Sequence, residues 1–292
     1  MQIGFLIPDY EPRMVDFAGQ AGFDCLELFT VPGGQFDLNT ATEDDLKRIM
    51  DHFSAANIRI GTFACSVNHL DPSEGEKNRH YFIKAIRTCR HLGTDILCTN
   101  AWAFPGKSPA ENVPIFKAVF SEYACIAEDE GVKIAIENCP HSIGYPIHIG
   151  NIAYSPEMWE VLFDAVPSKA IGLEFDPSHL FWQQIDIEKA IREFGDRIYS
   201  FHAKDTEIVH EEMARCGIYG KMFGKSSIWD FGVWRYRIPG WGDIQWKGVF
   251  RALNDIGYKG PIIIEHEDPV FMGERHKEGL RLGLRFLRGF NL

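Results

Sequence analysis

The chain has 292 residues, 45% of them hydrophobic and 24% charged, with a formal charge of −11. That size suits one α/β barrel spanning 1–292 as a single domain with a large buried core. The acidic balance and scattered basic residues argue against nucleic acid as a partner, and no run reaches the roughly 18 apolar residues of a membrane span.

Short β-rich runs recur along the chain between amphipathic segments. The first four are IGFLI near residue 3, CLELF from Cys25, IRIGTF from Ile58 and ILCTNAW from Ile96. Helical periodicity marks the stretches from Thr42, from Glu76 and from Pro114; Thr42 with Glu43 and Asp44 suits a helix start, and Gly93 and Gly131 suit helix ends. Four further strands follow: KIAIE ending at Glu137, IGLEFD ending at Asp176, IYSFHA around His202 and PIIIE ending at Glu265. Eight strands too apolar to face water, alternating with helices, predict a closed (β/α)8 TIM barrel. A doubly wound sheet would carry a glycine-rich phosphate turn after its first strand, and none is present.

The longest break in this rhythm runs from Asp205 to about Asp243, between strands 7 and 8, and holds Trp229, Phe231, Trp234, Tyr236 and Trp241. A long loop this aromatic is not a solvated linker, so it is expected to fold over the barrel mouth as a lid; a subunit contact, and with it a homo-oligomer, is the alternative. The seven cysteines, odd in number and without a CxxC pair, read as reduced core thiols. With an N-terminus MQIGFLIPDY that has no basic and apolar signal region, they point to a cytoplasmic protein.

The chemistry concentrates at four positions. Glu137, Asp176, His202 and Glu265 end strands five to eight, on the face where barrel active sites are built. A carboxylate or imidazole ending an apolar strand is costly to bury alone, so it ligates a cation or joins a hydrogen-bond network. Three carboxylates and one imidazole suit one divalent ion, Mn²⁺ first, with Mg²⁺, Co²⁺ or Zn²⁺ as alternatives. The competing explanation is that each residue caps a strand end or pairs with Lys204 or Arg237.

At these residues the chain resembles the sugar phosphate isomerase/epimerase superfamily of xylose isomerase-like TIM barrels, the AP endonuclease 2-type family. That group includes ketose 3-epimerases, inosose-processing enzymes and endonuclease IV. The resemblance covers nearly the whole chain and is carried by IENCP at 136–140, FDPSHL at 175–180, FHAKD at 201–205 and IEHED at 264–268. It implies that Glu137, Asp176, His202 and Glu265 are metal ligands, that His179 contacts substrate, and that Glu137 and Glu265 act as acid and base on opposite faces of it. The implied activity is isomerisation or epimerisation of a keto-sugar or cyclitol, by proton transfer beside a carbonyl through a metal-bound enediolate.

Two departures bear on substrate. Where ketose 3-epimerases carry an arginine soon after the seventh-strand histidine, this chain has Ile208, and Lys204 is the nearest cation. WRYRIPGWGDIQW at 234–246 resembles a loop of barrels acting on keto-sugars, inososes or oxidised glycosides. Arg235 and Arg237 alternate with Trp234 and Tyr236, so a strand there places arginines on one face for substrate hydroxyls, unless an arginine instead anchors the lid to a carboxylate such as Asp205. Trp102 and His69 are further substrate contacts expected on the site side, and His141 is a candidate extra acid or base. The same apparatus suits a lyase or dehydratase performing β-elimination on a 3-keto glycoside or an inosose. An AP endonuclease needs ligands on earlier strands that TFACS and CTNAW do not offer, and a non-catalytic sugar-binding barrel would be expected to lose some of the four ligands.

Overall fold

A computed structural model describes residues 1–143, 148–223 and 232–290. Its strands are β1 (Gln2–Ile7), β2 (Cys25–Phe29), β3 (Arg59–Ala64), β4 (Ile96–Thr99), β5 (Lys133–Glu137), β6 (Ser142–Ile143), β7 (His148–Ile149), β8 (Ile171–Phe175), β9 (Ile198–His202), β10 (Asp205–Ile208), β11 (Trp234–Arg237) and β12 (Pro261–Ile264). Eight of them close into a parallel barrel in the order β1-β12-β9-β8-β5-β4-β3-β2, the eight read from the sequence. β6 and β7 form a small antiparallel pair after β5, and β10 pairs with β11 as an antiparallel ribbon after β9.

Side-chain alternation separates packing from chemistry. Ile134 and Ile136 on β5, Leu173 and Phe175 on β8, Phe201 on β9, and Ile262 and Ile264 on β12 all join the main core. The intervening positions belong to the other face of each strand. There, Ala135 leads to Glu137, Gly172 to Glu174 and Asp176, Ser200 to His202 and Lys204, and Ile263 to Glu265. Small residues fill the barrel below: Ala64, Cys98 and Ala135 pack with Tyr199. Gly172 is required for this closeness, since a Cβ there would stand 2.3 Å from both the Arg197 carbonyl oxygen and the Tyr199 ring.

The helices interleave as expected, among them α1 (Pro12–Ala21), α2 (Glu43–Ala55), α3 (Gly75–Cys89), α4 (Pro109–Glu130), α5 (Pro156–Ala165) and α6 (Pro177–Trp182). Thr42 caps α2 in a reciprocal box with Asp45, a motif worth about 1 kcal/mol. Gly93 and Gly131 end their segments in the left-handed conformation. The third predicted helix starts at Pro109 rather than Pro114, because Ser108 and Glu111 form a second capping box that sets the boundary upstream. Among the described residues no helix is long and apolar enough to cross a membrane. All seven cysteines are free, and Cys25, Cys65, Cys89 and Cys98 are buried, but Cys125 is exposed and so is not a core thiol.

Part of the segment expected as a lid is the β10–β11 ribbon, followed by chain that returns to the barrel; Trp229 and Phe231 lie outside the described residues. The base of the ribbon is gathered by Asp205. Its buried carboxylate accepts the backbone N–H groups of Gly240 at 2.9 Å and Ile244 at 3.1 Å, and the Trp246 indole N–H at 2.7 Å. Trp182 at the end of α6 stacks on Trp234, 4.9 Å between centroids and 5° from parallel.

Candidate metal centre

The strand-end residues are fixed by partners near and far in sequence. Asp176 caps α6, its Oδ1 accepting the Ser178 N–H at 2.8 Å. Asn138, next to Glu137, clamps the Asp176 backbone from both sides, accepting its N–H at 2.7 Å and donating to its carbonyl at 2.9 Å, so two ligand-bearing strands are fixed together. Glu137 receives the Asn100 amide on Oε2 at 3.0 Å. His202 Nδ1 stands 3.0 Å from Glu265 Oε2 and 3.7 Å from Glu137 Oε1.

One donor atom from each of Glu137, Asp176, His202 and Glu265 lies within 4.8 Å of the others. Three of those residues bury an atom with no hydrogen-bond partner: Glu137 Oε1, Asp176 Oδ2 and His202 Nδ1. Their mutual approaches are ionic contacts without hydrogen-bond geometry, and orphaned buried polar atoms on three adjacent staves are unfavourable without a shared cation. The buried Lys204 is the ammonium set among these carboxylates. Lys204 Nζ lies 2.6 Å from Glu265 Oε2, 3.1 Å from Asp176 Oδ2 and 3.2 Å from Glu267 Oε2.

The electrostatics show a site that draws positive charge. Burial alone would lower His202, yet the carboxylates of Glu174 and Glu27, with that of Glu137 on its other edge, raise it well above its ordinary value. Burial would raise Glu265, but the Lys204 ammonium overrides it and holds the acid at about 2. Glu137 is likewise pushed up by burial and then brought well below its ordinary range by the imidazoles of His179 and His202 beside it. Asp176 and His202 are buried, whereas the Glu137 and Glu265 side chains keep 13% and 18% exposure.

The other expected residues divide. His179 is at the site, its Nε2 3.3 Å from Asp176 and 3.5 Å from Glu137, and Lys204 is inside it. Trp102 reaches it indirectly, stacked on His141 at 4.7 Å; the two share left-handed backbone, and His141 clusters with Glu137 and Cys139. His69 does not belong. It is buried among Phe82, Phe120 and Tyr123, with its ring nitrogens 2.9 Å from the Thr99 hydroxyl and 3.2 Å from that of Tyr123, and burial lowers it to about 3.

Arg235 and Arg237 do share one face of the ribbon, but their guanidiniums are spent on protein carboxylates. Arg235 forks onto Glu207 at 2.8 and 2.9 Å, and Arg237 pairs with Glu207 and with Asp268 at 2.9 Å, not with Asp205. The opposite face carries the contact: Tyr236 places its hydroxyl 2.9 Å from His179 Nδ1 and its ring 4.5 Å from Lys204 Nζ. Sequence reasoning also passed over Asn100, Glu27 and Glu174. For the last two the signal was present, a carboxylate inside an apolar strand at CLELF and IGLEF. An apolar hollow of about 420 Å³ walled by Phe181, Trp182, Ile185, Ile208 and Met213 contains none of the ligand residues.

Known proteins place the chain in a family. A Bacillus subtilis protein, YfiH, itself uncharacterised, is 29% identical over 94% of this chain and 93% of its own. An inosose dehydratase of Clostridium perfringens is 24% identical over 51% of this chain, and the match spans 46% of that enzyme's length. Among solved structures, the 3-keto-D-glucoside 4-epimerase YcjR of E. coli superposes with a TM-score of 0.72 over 99% of both chains at 13% identity, a likeness of fold. Residues 15–290 match the xylose isomerase-like TIM barrel family, and the chain belongs to it.

Proposed function

We propose that the protein is a divalent-metal-dependent isomerase or epimerase of a keto-sugar or cyclitol, working by proton transfer beside a carbonyl. The observation that carries this reading is the convergence of Glu137, Asp176, His202 and Glu265, in which the two glutamates alone keep an accessible edge. Mn²⁺ is the ion proposed, from the hard-to-borderline donor set. When bound, it would polarise the substrate carbonyl and acidify the neighbouring C–H.

The chain's own groups supply the rest. One glutamate, ionised, takes the C–H proton, while the other, carrying a proton taken up from solvent, delivers it to the opposite face; exchange with water then resets the pair. Lys204 and His179, steadied by Tyr236, offer N–H donors to substrate oxygens from the same wall. Asp176 and His202, more deeply buried, hold the ion rather than the proton. The relatives and structural neighbours act on inososes and on keto-glucosides, which share an acidic C–H next to a ketone.

The second reading, β-elimination from an inosose or a 3-keto glycoside, is favoured by His141 on the Glu137 side of the site, where it would protonate a leaving oxygen. The test is mass-spectrometric deuterium uptake from heavy water into ketoses, inososes and 3-keto glycosides, with Mn²⁺-loaded protein and a chelated control. Chelator-sensitive uptake with the carbon skeleton intact supports the isomerase; loss of water or aglycone supports the lyase. Uptake that is indifferent to chelator sinks the metal reading. Glu137→Gln and Glu265→Gln are each expected to abolish exchange, and full exchange in either refutes the two-carboxylate scheme.

A further inference from the structure

Directly beneath the candidate ligands the barrel encloses two carboxylates that the reaction above does not use. Glu27 on β2 and Glu174 on β8 are 0% and 3% exposed. Their Oε1 atoms lie 3.4 Å and 3.1 Å from His202 Nε2, the ring nitrogen facing away from Glu137 and Glu265. We infer that Glu27 and Glu174 are positioning residues that present His202 to the ion through Nδ1, an inference that rests on the metal-centre reading above.

The argument is one of lone pairs. A ligating imidazole nitrogen gives its lone pair to the metal, so the other nitrogen carries the proton and needs an acceptor. Nε2 has two within reach. The opposite tautomer would aim the Nε2 lone pair at carboxylate oxygens while pointing an N–H at the ion. Glu27 is itself fixed, since Thr62, its register partner on β3, donates to Oε2 at 2.7 Å. Glu174 stands two residues before Asp176, so one strand carries both a ligand and a support for its neighbour.

The cost of this arrangement supports a directed role. Burying two carboxylates is unfavourable by several kcal/mol each unless they are paired. The adjacent interior is apolar, filled by Ala64, Cys98 and Ala135 with Tyr199. Glu174 Oε1 has no hydrogen bond of regular geometry; the His202 ring edge stands 3.1 Å from it, and Glu27 and Cys98 share the same buried cluster.

The test uses zinc-loaded protein, which is diamagnetic, labelled with ¹⁵N-histidine. Long-range ¹H–¹⁵N correlation, with the His202 signals identified by their loss in His202→Gln, is expected to report a zinc-bound Nδ1 and a protonated Nε2. Competition against a chromogenic chelator is expected to show zinc affinity weakened about 10–100-fold in Glu174→Ala or Glu27→Ala, with Glu174→Gln restoring most of it through its amide oxygen. Zinc held through Nε2 overturns the inference while leaving the metal centre standing. So does affinity within twofold of wild type in both folded alanine variants. No zinc binding by the wild type overturns both.

Discussion

Replacing Lys204 with methionine tests the charge balance of the site directly. The ammonium is 2% exposed and touches three carboxylates between 2.6 and 3.2 Å. At roughly 3 Å and an effective dielectric constant of about 20, each contact is worth about 5–6 kcal/mol before desolvation. Desolvation cancels much of that, and removing one partner of a buried ionic cluster costs about 3–5 kcal/mol net. For a chain of 292 residues that is a fall in melting temperature of roughly 5–8 °C. The measurement is calorimetric unfolding of wild type and Lys204→Met, each in chelator and in excess Mn²⁺. In chelator the full deficit is expected; in Mn²⁺ it should shrink, because the ion supplies the missing positive charge to Asp176 and Glu265. A deficit below about 1 kcal/mol in chelator, or the same deficit in both conditions, refutes the charge argument.

His202→Ala is expected to weaken metal binding strongly by direct titration, and unchanged metal content removes the centre. Because carboxylates raise His202 well above its ordinary value, a proton must leave as the ion binds, so affinity should tighten by up to about tenfold per pH unit as pH rises through neutrality and above; a flat competition profile contradicts this. Glu265 is depressed to about 2, so its contribution to metal-free stability is complete above its unfolded value near 4.5 and is lost as pH falls through about 2. In chelator, Glu265→Gln should therefore lose less stability than wild type across that acid range, as read by fluorescence-monitored unfolding. His69→Ala should cost about 2–4 kcal/mol in denaturant titrations, opening a cavity and removing the partner of the buried Tyr123 hydroxyl, without altering metal affinity; weakened affinity would return His69 to the site.

The eight barrel strands were legible because each apolar run has a defined end, and the four ligand candidates because charge terminates four of those runs. Where partners come from elements distant in sequence, composition was silent. His69 follows a strand much as a site residue would, but helices α3 and α4 bring Phe82, Tyr123 and Phe120 around it. Alternation along 234–237 correctly separated two arginines from two rings. It could not say that the register Glu207↔Arg235 would neutralise the arginines and leave Tyr236 facing His179. Pro114 resembles a helix start on its own and loses that role only to the capping box just upstream.

The carboxylate of Asp205 ties the outgoing and returning ends of the excursion between the last two barrel strands, so the span from Ile208 to Trp234 is closed at its base whatever its length. Closure entropy rises by only about 0.6 kcal/mol for each doubling of a loop's length, so this base is expected to accept inserted or exchanged segments, like a socket with interchangeable fittings. Because Tyr236 leaves that socket beside His179, an exchanged segment would act at the rim of the reaction chamber while the strand ends that bear the ligands stay as they are.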